Sequence, residues 1–255
     1  VITPTSLQRR EYKCLIDEHT VERIRRYLGG ICVVDPYATE AGRYTIDTLY
    51  LDSPRLDTYH ATLEERTDRY KLRIRGYPSA PSAPVFFEVK RRIGDTIRKT
   101  RVAIDGAWQR VLVDGVLPPL APKPRAALDN FLCHYYLLPM QPTVMVRYER
   151  EPYFSTLDDY ARVTFDRALA FQPVTELSMV TDDDAWRPID HAFAQRGPAG
   201  SLVLLELKFT SVVPAWMRRM VQALELPREA FCKYTRAIEA LQGPSSRVAR
   251  AGVFR

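Results

Sequence analysis

The chain has 255 residues, 37 Lys+Arg against 31 Asp+Glu, and a net charge of +6. At 46% hydrophobic and 27% charged it can build a full core, which excludes intrinsic disorder as its main state. No apolar run approaches the ~18 residues a membrane-spanning helix needs, no signal-peptide pattern is visible at the start, and four scattered cysteines (Cys14, Cys32, Cys133, Cys232) show neither metal spacing nor a disulfide framework, which fits a reducing cytosol.

The predicted elements alternate between strands and helices. β-branched and aromatic content with period-2 alternation predicts a strand over 9–16. Asp17 then caps a helix running to Leu28, with Val21, Ile24 and Leu28 on one face. Strands follow over 44–52 and 70–77. A Pro-rich loop spans 78–84, and strands over 85–91 and 96–104 flank a turn at Ile93-Gly94-Asp95. The stretch 117–124 is a connector, and Leu128, Phe131, Leu132 and Tyr135 mark a helix over 125–138. Strands over 143–150, 160–168 and 202–209 come next. Helices over 214–224 and 228–241 close the pattern, each with Pro near its start. No internal repeat divides the chain, so we expect one domain over 1–255, with its core at about 9–240 and a flexible tail at 243–255.

The charge is unevenly placed. Between Arg66 and Arg101 there are eleven Lys or Arg and three acids, Asp68, Glu88 and Asp95. Such a segment suits an anionic partner, although a solvated face would look the same. Strand alternation sorts these charges. Lys71, Arg73 and Arg75 share one face, opposite Leu72 and Ile74. Glu88 with Lys90, Lys99 with Arg101, Arg162 with Asp166, Glu206 with Lys208, and Glu11 with Lys13 repeat the pattern. Arg147 falls on the opposite face from Arg150. An open sheet with a wet charged face satisfies this, and so does a barrel with its charges inside. A charged lumen would have to be wet and hold an anion, because unpaired buried cations are costly. The pattern alone leaves both architectures open.

The order of the motifs adds a second argument. Arg10-Glu11-Tyr12-Lys13 is followed by Thr48-Leu49-Tyr50-Leu51-Asp52, Lys71-Leu72-Arg73-Ile74-Arg75, Phe87-Glu88-Val89-Lys90 and Lys99-Thr100-Arg101. Then come Val146-Arg147-Tyr148-Glu149-Arg150, Arg162-Val163-Thr164-Phe165-Asp166-Arg167, Leu205-Glu206-Leu207-Lys208 and Phe231-Cys232-Lys233-Tyr234. This succession resembles the VTC domain, the polyphosphate polymerase branch of the CYTH or triphosphate tunnel metalloenzyme superfamily. The resemblance implies an α+β fold: an antiparallel eight-stranded β-barrel tunnel, open at both ends, with a charged interior and helices packed outside. It implies transfer of the γ-phosphoryl of ATP to a growing polyphosphate chain with release of ADP, using Mn²⁺ or Mg²⁺. Arg73 and Arg75 would hold the triphosphate, and Lys90, Arg150 and Arg162 would act with them. Lys13, Lys71, Lys99, Arg101, Lys208 and Lys233 would be further phosphate ligands. Glu206 would bind the metal, assisted by Glu88 and Glu11. Asp166 would orient Arg162 or face the metal.

The opening Glu-x-Lys motif is shorter than the Glu-x-Glu-x-Lys of the wider superfamily, with Arg9 where the first Glu would stand. That suits the polymerase branch better than a two-metal hydrolase. The rival readings are a triphosphatase acting on tripolyphosphate or a nucleoside triphosphate, and a non-catalytic polyphosphate or inositol-polyphosphate binder. Interleaved glutamates argue against nucleic acid as the partner. The expected location is cytoplasmic, at the inner face of a membrane if a separate membrane partner is present.

Overall fold

The computed structural model describes residues 10–189 and 202–243, apart from 81, 95, 159 and 211. Arg9 and most of the expected tail (244–255) lie outside the described residues. In chain order the elements are β1 (Arg10–Ile16), α1 (Glu18–Leu28), β2 (Cys32–Val34), β3 (Tyr44–Asp52), α2 (Asp57–Leu63), β4 (Asp68–Gly76), β5 (Val85–Ile93), β6 (Thr96–Ile104), α3 (Gln109–Val113), α4 (Pro122–Leu137), β7 (Gln141–Ser155), β8 (Ala161–Pro173), β9 (Arg187–Pro188), β10 (Val203–Phe209), α5 (Ala215–Ala223) and α6 (Lys233–Gln242). All eight expected strands are present. They form one antiparallel sheet in the order β1-β10-β8-β7-β3-β4-β5-β6, with β2 added on β7 and β9 on β8.

The path does not close, since no ladder joins β1 to β6 among the described residues. The expected barrel is instead a curled sheet with a seam. The chain leading into α6 occupies the β1 edge. Glu229 N donates to Lys13 O at 2.8 Å, Tyr12 OH to Leu226 O at 2.8 Å, and Lys13 Nζ to Phe231 O at 3.0 Å. A backbone carbonyl satisfied in this way is not left to pair with another strand. The curl still brings the two sides together, because Lys90 on β5 reaches Glu11 on β1 at 2.9 Å.

Two apolar clusters cover the convex face. Asp17 caps α1 by accepting from Thr20 N at 2.7 Å, and Val21, Ile24 and Leu28 are buried as expected. With Trp216, Met217 and Met220 of α5 they pack on Cys14, Val163, Phe165, Leu205 and Leu207. On the other flank Leu128 and Phe131 of α4 pack on Leu72, Ile74, Phe87, Val89 and Val102. Each such side chain contributes roughly 1.5–3 kcal/mol through burial.

The third cluster corrects the expectation that every helix lies outside. Tyr234, Ala237 and Ile238 of α6 pack against Tyr50, Val144, Val146, Tyr148 and Leu204. By strand alternation those residues share the face of Arg73, Arg150 and Glu206. So α6 lies on the concave face, with Tyr234 stacked on Tyr50 at 4.9 Å between ring centroids. The end of the sheet where β3 finishes and β4 begins is thus covered by α2 and α6, not open. A β-bulge at Ala168 (φ 47°), where the β7–β8 register shifts, supplies part of this apolar patch. It turns Leu169 and Phe171 inward, while Arg167, just before it, keeps the outward side of Val163 and Phe165 and meets Glu18 and Glu151.

Candidate functional site

Charge alternation along the strands builds the concave face into two groups. The first surrounds Glu88, which is fully buried. Arg73 lies at 2.7 Å, Lys99 at 2.7 Å, Arg101 at 3.3 Å and Arg75 at 3.8 Å. Burial alone would raise the Glu88 pKa, but Arg75, Lys99, Arg73 and Arg101 hold it well below its ordinary value. One carboxylate cannot compensate four cations. Lys99 is accordingly pulled well below its ordinary value by burial, with Arg75, Arg73 and Arg101 adding to it against Glu88. Lys71 bonds the Thr62 hydroxyl at 2.8 Å and registers opposite Lys90. Burial lowers its pKa too, with Lys90, Arg69 and Lys13 adding to it.

Arg75 is the least satisfied member. It reaches Tyr148 OH only at 3.5 Å, and its Nε is buried without a hydrogen bond. The hydroxyl of Thr48, the register partner of Arg75, is also buried without a partner. Unmet polar atoms in residues only 6% and 1% exposed are costly unless something polar meets them.

The second group surrounds Glu206. Lys208 lies at 2.7 Å, Arg150 and Lys233 at 3.2 Å, and Lys13 at 3.3 Å. Burial works against the Glu206 carboxylate, yet Lys208, Lys233, Lys13 and Arg150 hold it well below its ordinary range. Asp166 accepts from Arg150 through both oxygens at 2.7 Å and meets Lys233 at 2.6 Å. It therefore orients Arg150, not Arg162. Glu11 pairs with Lys90 at 2.9 Å and Lys13 at 3.8 Å. Arg162 lies over Phe154 at 4.2 Å and Tyr160 at 5.1 Å, towards the end of the sheet where β3 begins, which no helix among the described residues covers.

The structure thus brings all the candidate cations onto one face. It does not bring the candidate metal ligands together. Glu88 sits in one group, Glu206 and Glu11 in the other. Among the described residues no three of His, Cys, Asp or Glu stand close enough to hold an ion. Arg147 points outward as alternation required, bidentate to Asp47 at 2.8 Å and over Trp186 at 4.3 Å.

Sequence reasoning gave no role to Tyr148 or Thr48. Tyr148 stands between the groups, with Arg75 at its hydroxyl, Lys233 4.5 Å over its ring and Arg150 at 5.2 Å. Its alternation with Arg150 was the available signal. Asp52 was also passed over. It accepts from Thr58 N and Tyr59 N of α2 at 3.0 Å and from Tyr234 OH at 2.5 Å, tying both covering helices to β3.

The VTC domain family model matches residues 8–242. The chain belongs to the VTC domain family. No curated protein matches this VTC domain in sequence. Among solved structures, a protein from Bacillus halodurans described as an adenylate cyclase is 10% identical, covering 89% of this chain and 96% of its own, with a TM-score of 0.51. A Pyrococcus horikoshii protein is 13% identical over 86% of this chain and 92% of its own, with a TM-score of 0.42. A Hippeastrum protein described as an adenylyl cyclase that reveals a dominant triphosphatase activity is 14% identical over 86% of this chain and 89% of its own, with a TM-score of 0.46. The first of these likenesses shows a shared fold. No helix among the described residues of the VTC domain is long and apolar enough to cross a membrane.

Proposed function

We propose that this VTC domain transfers the γ-phosphoryl of ATP to the end of a polyphosphate chain. One observation carries the reading. The concave face carries more cations than carboxylates, its carboxylates Glu88, Asp166 and Glu206 are already taken up in ion pairs, and Arg75 Nε and Thr48 Oγ1 are buried within it without hydrogen bonds. Such a face is stable only when wet or when an anion of high charge fills it. Arg forks suit phosphate oxygens, and Lys adds point charges. The terminal phosphate oxygen of the chain attacks the γ-phosphorus, the bond to the β-phosphate oxygen breaks, and ADP leaves. This chemistry needs positioning and charge neutralisation more than a protein nucleophile. Arg73, Arg75 and Lys99 would hold one stretch of phosphate, and Lys13, Arg150, Lys208 and Lys233 another.

The residues fit Mn²⁺ or Mg²⁺ only as an ion shared with the substrate. Glu206 would give one carboxylate and the phosphates would supply further oxygens, as these hard cations allow. Bound there, the ion would neutralise phosphate charge. Glu88 and Glu206 are each ringed by four cations and serve first as counter-ions, so such an ion would be held mainly by the phosphate oxygens. The partners are then ATP and polyphosphate, not nucleic acid. The working location is cytoplasmic, at a membrane's inner face where a separate partner anchors it.

The test is incubation with ATP and Mn²⁺, with products resolved by gel. A polyphosphate ladder with stoichiometric ADP, lost in Arg73→Ala, is expected. Orthophosphate without a ladder would replace the polymerase reading with hydrolysis.

A further inference from the structure

The uncovered end of the concave face differs from its interior. β3 begins there at Tyr44, β4 ends just before Tyr77, and Phe86 is the second residue of β5. These rings form a connected group: Tyr44 meets Tyr77 edge-on at 5.8 Å, and Tyr77 meets Phe86 edge-on at 5.9 Å. The Arg101 guanidinium lies 3.5 Å from the centre of the Phe86 ring and donates to Tyr77 OH at 3.2 Å. All three rings are half-buried, so each keeps part of its surface open.

The placement of this group relative to the cations is fixed by register. Phe86 is the partner of Arg75, and Tyr44 is the partner of Arg150. Phe86 precedes Glu88 by two residues on the same face, a step of roughly 6.6 Å along the strand. Arg101 also touches Glu88 at 3.3 Å. A phosphate chain lying on Arg73 and Arg75 would therefore have an aromatic shelf one side-chain step outward. Phosphate has no use for aromatic faces, whereas planar heterocycles stack on aromatic rings and on arginine planes.

We propose that Tyr44, Tyr77 and Phe86, with Arg101, form the seat of the nucleobase of a nucleoside triphosphate whose phosphates lie inward. The proposal rests on the reading of the concave face as a triphosphate site, and adds that the donor enters base-outward from the uncovered end. Stacking on ring faces tolerates different bases, so the seat separates nucleotides from inorganic tripolyphosphate more sharply than it separates ATP from GTP.

The experiment compares binding of ATP and of tripolyphosphate by titration calorimetry without divalent metal. The proteins are the wild-type chain, Phe86→Leu and Tyr77→Ala. Leucine keeps apolar volume under Arg101 and removes the ring face, and circular dichroism would check the fold of each variant. Each variant is expected to lose about five- to tenfold in ATP affinity, the order of one stacked base, with tripolyphosphate affinity unchanged. Equal losses for both ligands, or none for either, would overturn the seat while leaving the triphosphate site standing. A wild-type chain that binds neither ligand would instead remove the triphosphate site, and the seat with it.

Discussion

At the scale of single residues, the site is governed by unequal compensation. Glu88 has four cations, while Arg75 has only a distant share of Glu88. The two residues should therefore respond very unequally to substitution. Glu88→Gln leaves a buried cluster of like charge and should cost about 3–5 kcal/mol of stability by urea denaturation. Arg75→Ala removes an under-paired cation and should cost under about 1 kcal/mol in the same measurement. Equal costs would show that Arg75 is an ordinary structural ion pair. Cys232 offers an independent reading of the same field. Burial would raise its thiol pKa, but Lys71, the Thr235 hydrogen bonds and Lys13 bring it down to about 7. Burial pushes Cys14 up to about 12. Iodoacetamide at neutral pH should label Cys232 and spare Cys14, and tripolyphosphate should slow the labelling by neutralising Lys71 and Lys13. Peptide mass spectrometry would show it, and labelling indifferent to tripolyphosphate would contradict this field. Most of these residues were legible because charge on alternate positions of a strand marks a face. Tyr148 and Thr48 were not, since neither carries charge and their importance comes from neighbours on other strands.

At the scale of elements, the strands were legible and the covering helices less so. α2 has no local cap. Its first amide donates to Ser53 Oγ at 3.2 Å and the next two to Asp52, five residues before the helix begins, and Leu56 precedes it in a left-handed conformation. No nearby signal could announce it. The short strands β2 and β9 likewise have no alternation long enough to read. A helix was expected over 228–241, but 228–232 are not helical, Glu229 there bonds Lys13 of β1, and α6 begins only at Lys233; its amphipathic pattern could not say which face of the sheet it would meet. The Asp52–Tyr234 bond decides that locally. Burial and Asp52 raise the Tyr234 pKa, so the hydroxyl stays a donor. Tyr234→Phe should cost about 1–2 kcal/mol and speed hydrogen exchange in α6 relative to α4. Unchanged protection in α6 would mean that the helix is held by packing alone. Loosening α6 also frees Lys233, which links Asp166 and Glu206.

At the scale of the whole molecule, sequence alternation left an open sheet and a closed barrel equally allowed. The curl that brings Lys90 to Glu11 is a long-range outcome, and so is the seam filled by residues before α6. Neither has a local signature. The concave face also sets the acid limit of the fold. Glu11, Glu88, Asp166 and Glu206 all have depressed pKa values, because lysines and arginines overcome the cost of burial. A depressed carboxylate stabilises the fold above its unfolded value and loses that contribution as pH falls towards its folded value. The unfolded values are 4.5 for Glu and 3.8 for Asp. The melting temperature should therefore hold from neutral pH to about pH 5 and fall steeply below 4.5. A decline already under way between about pH 7 and 6 would assign acid sensitivity to other groups.

The central claim is that the cations gathered on the concave face exist to hold a chain of phosphates. The most direct measurement is calorimetric titration of tripolyphosphate into the wild-type chain and into Arg73→Ala and Arg75→Ala. One tripolyphosphate per chain, bound more weakly as salt rises and lost by at least about 100-fold in either variant (~2.7 kcal/mol, the order of charge-assisted hydrogen bonds), is the expected result. Binding that survives both substitutions, or no binding to a folded wild-type chain, would contradict it.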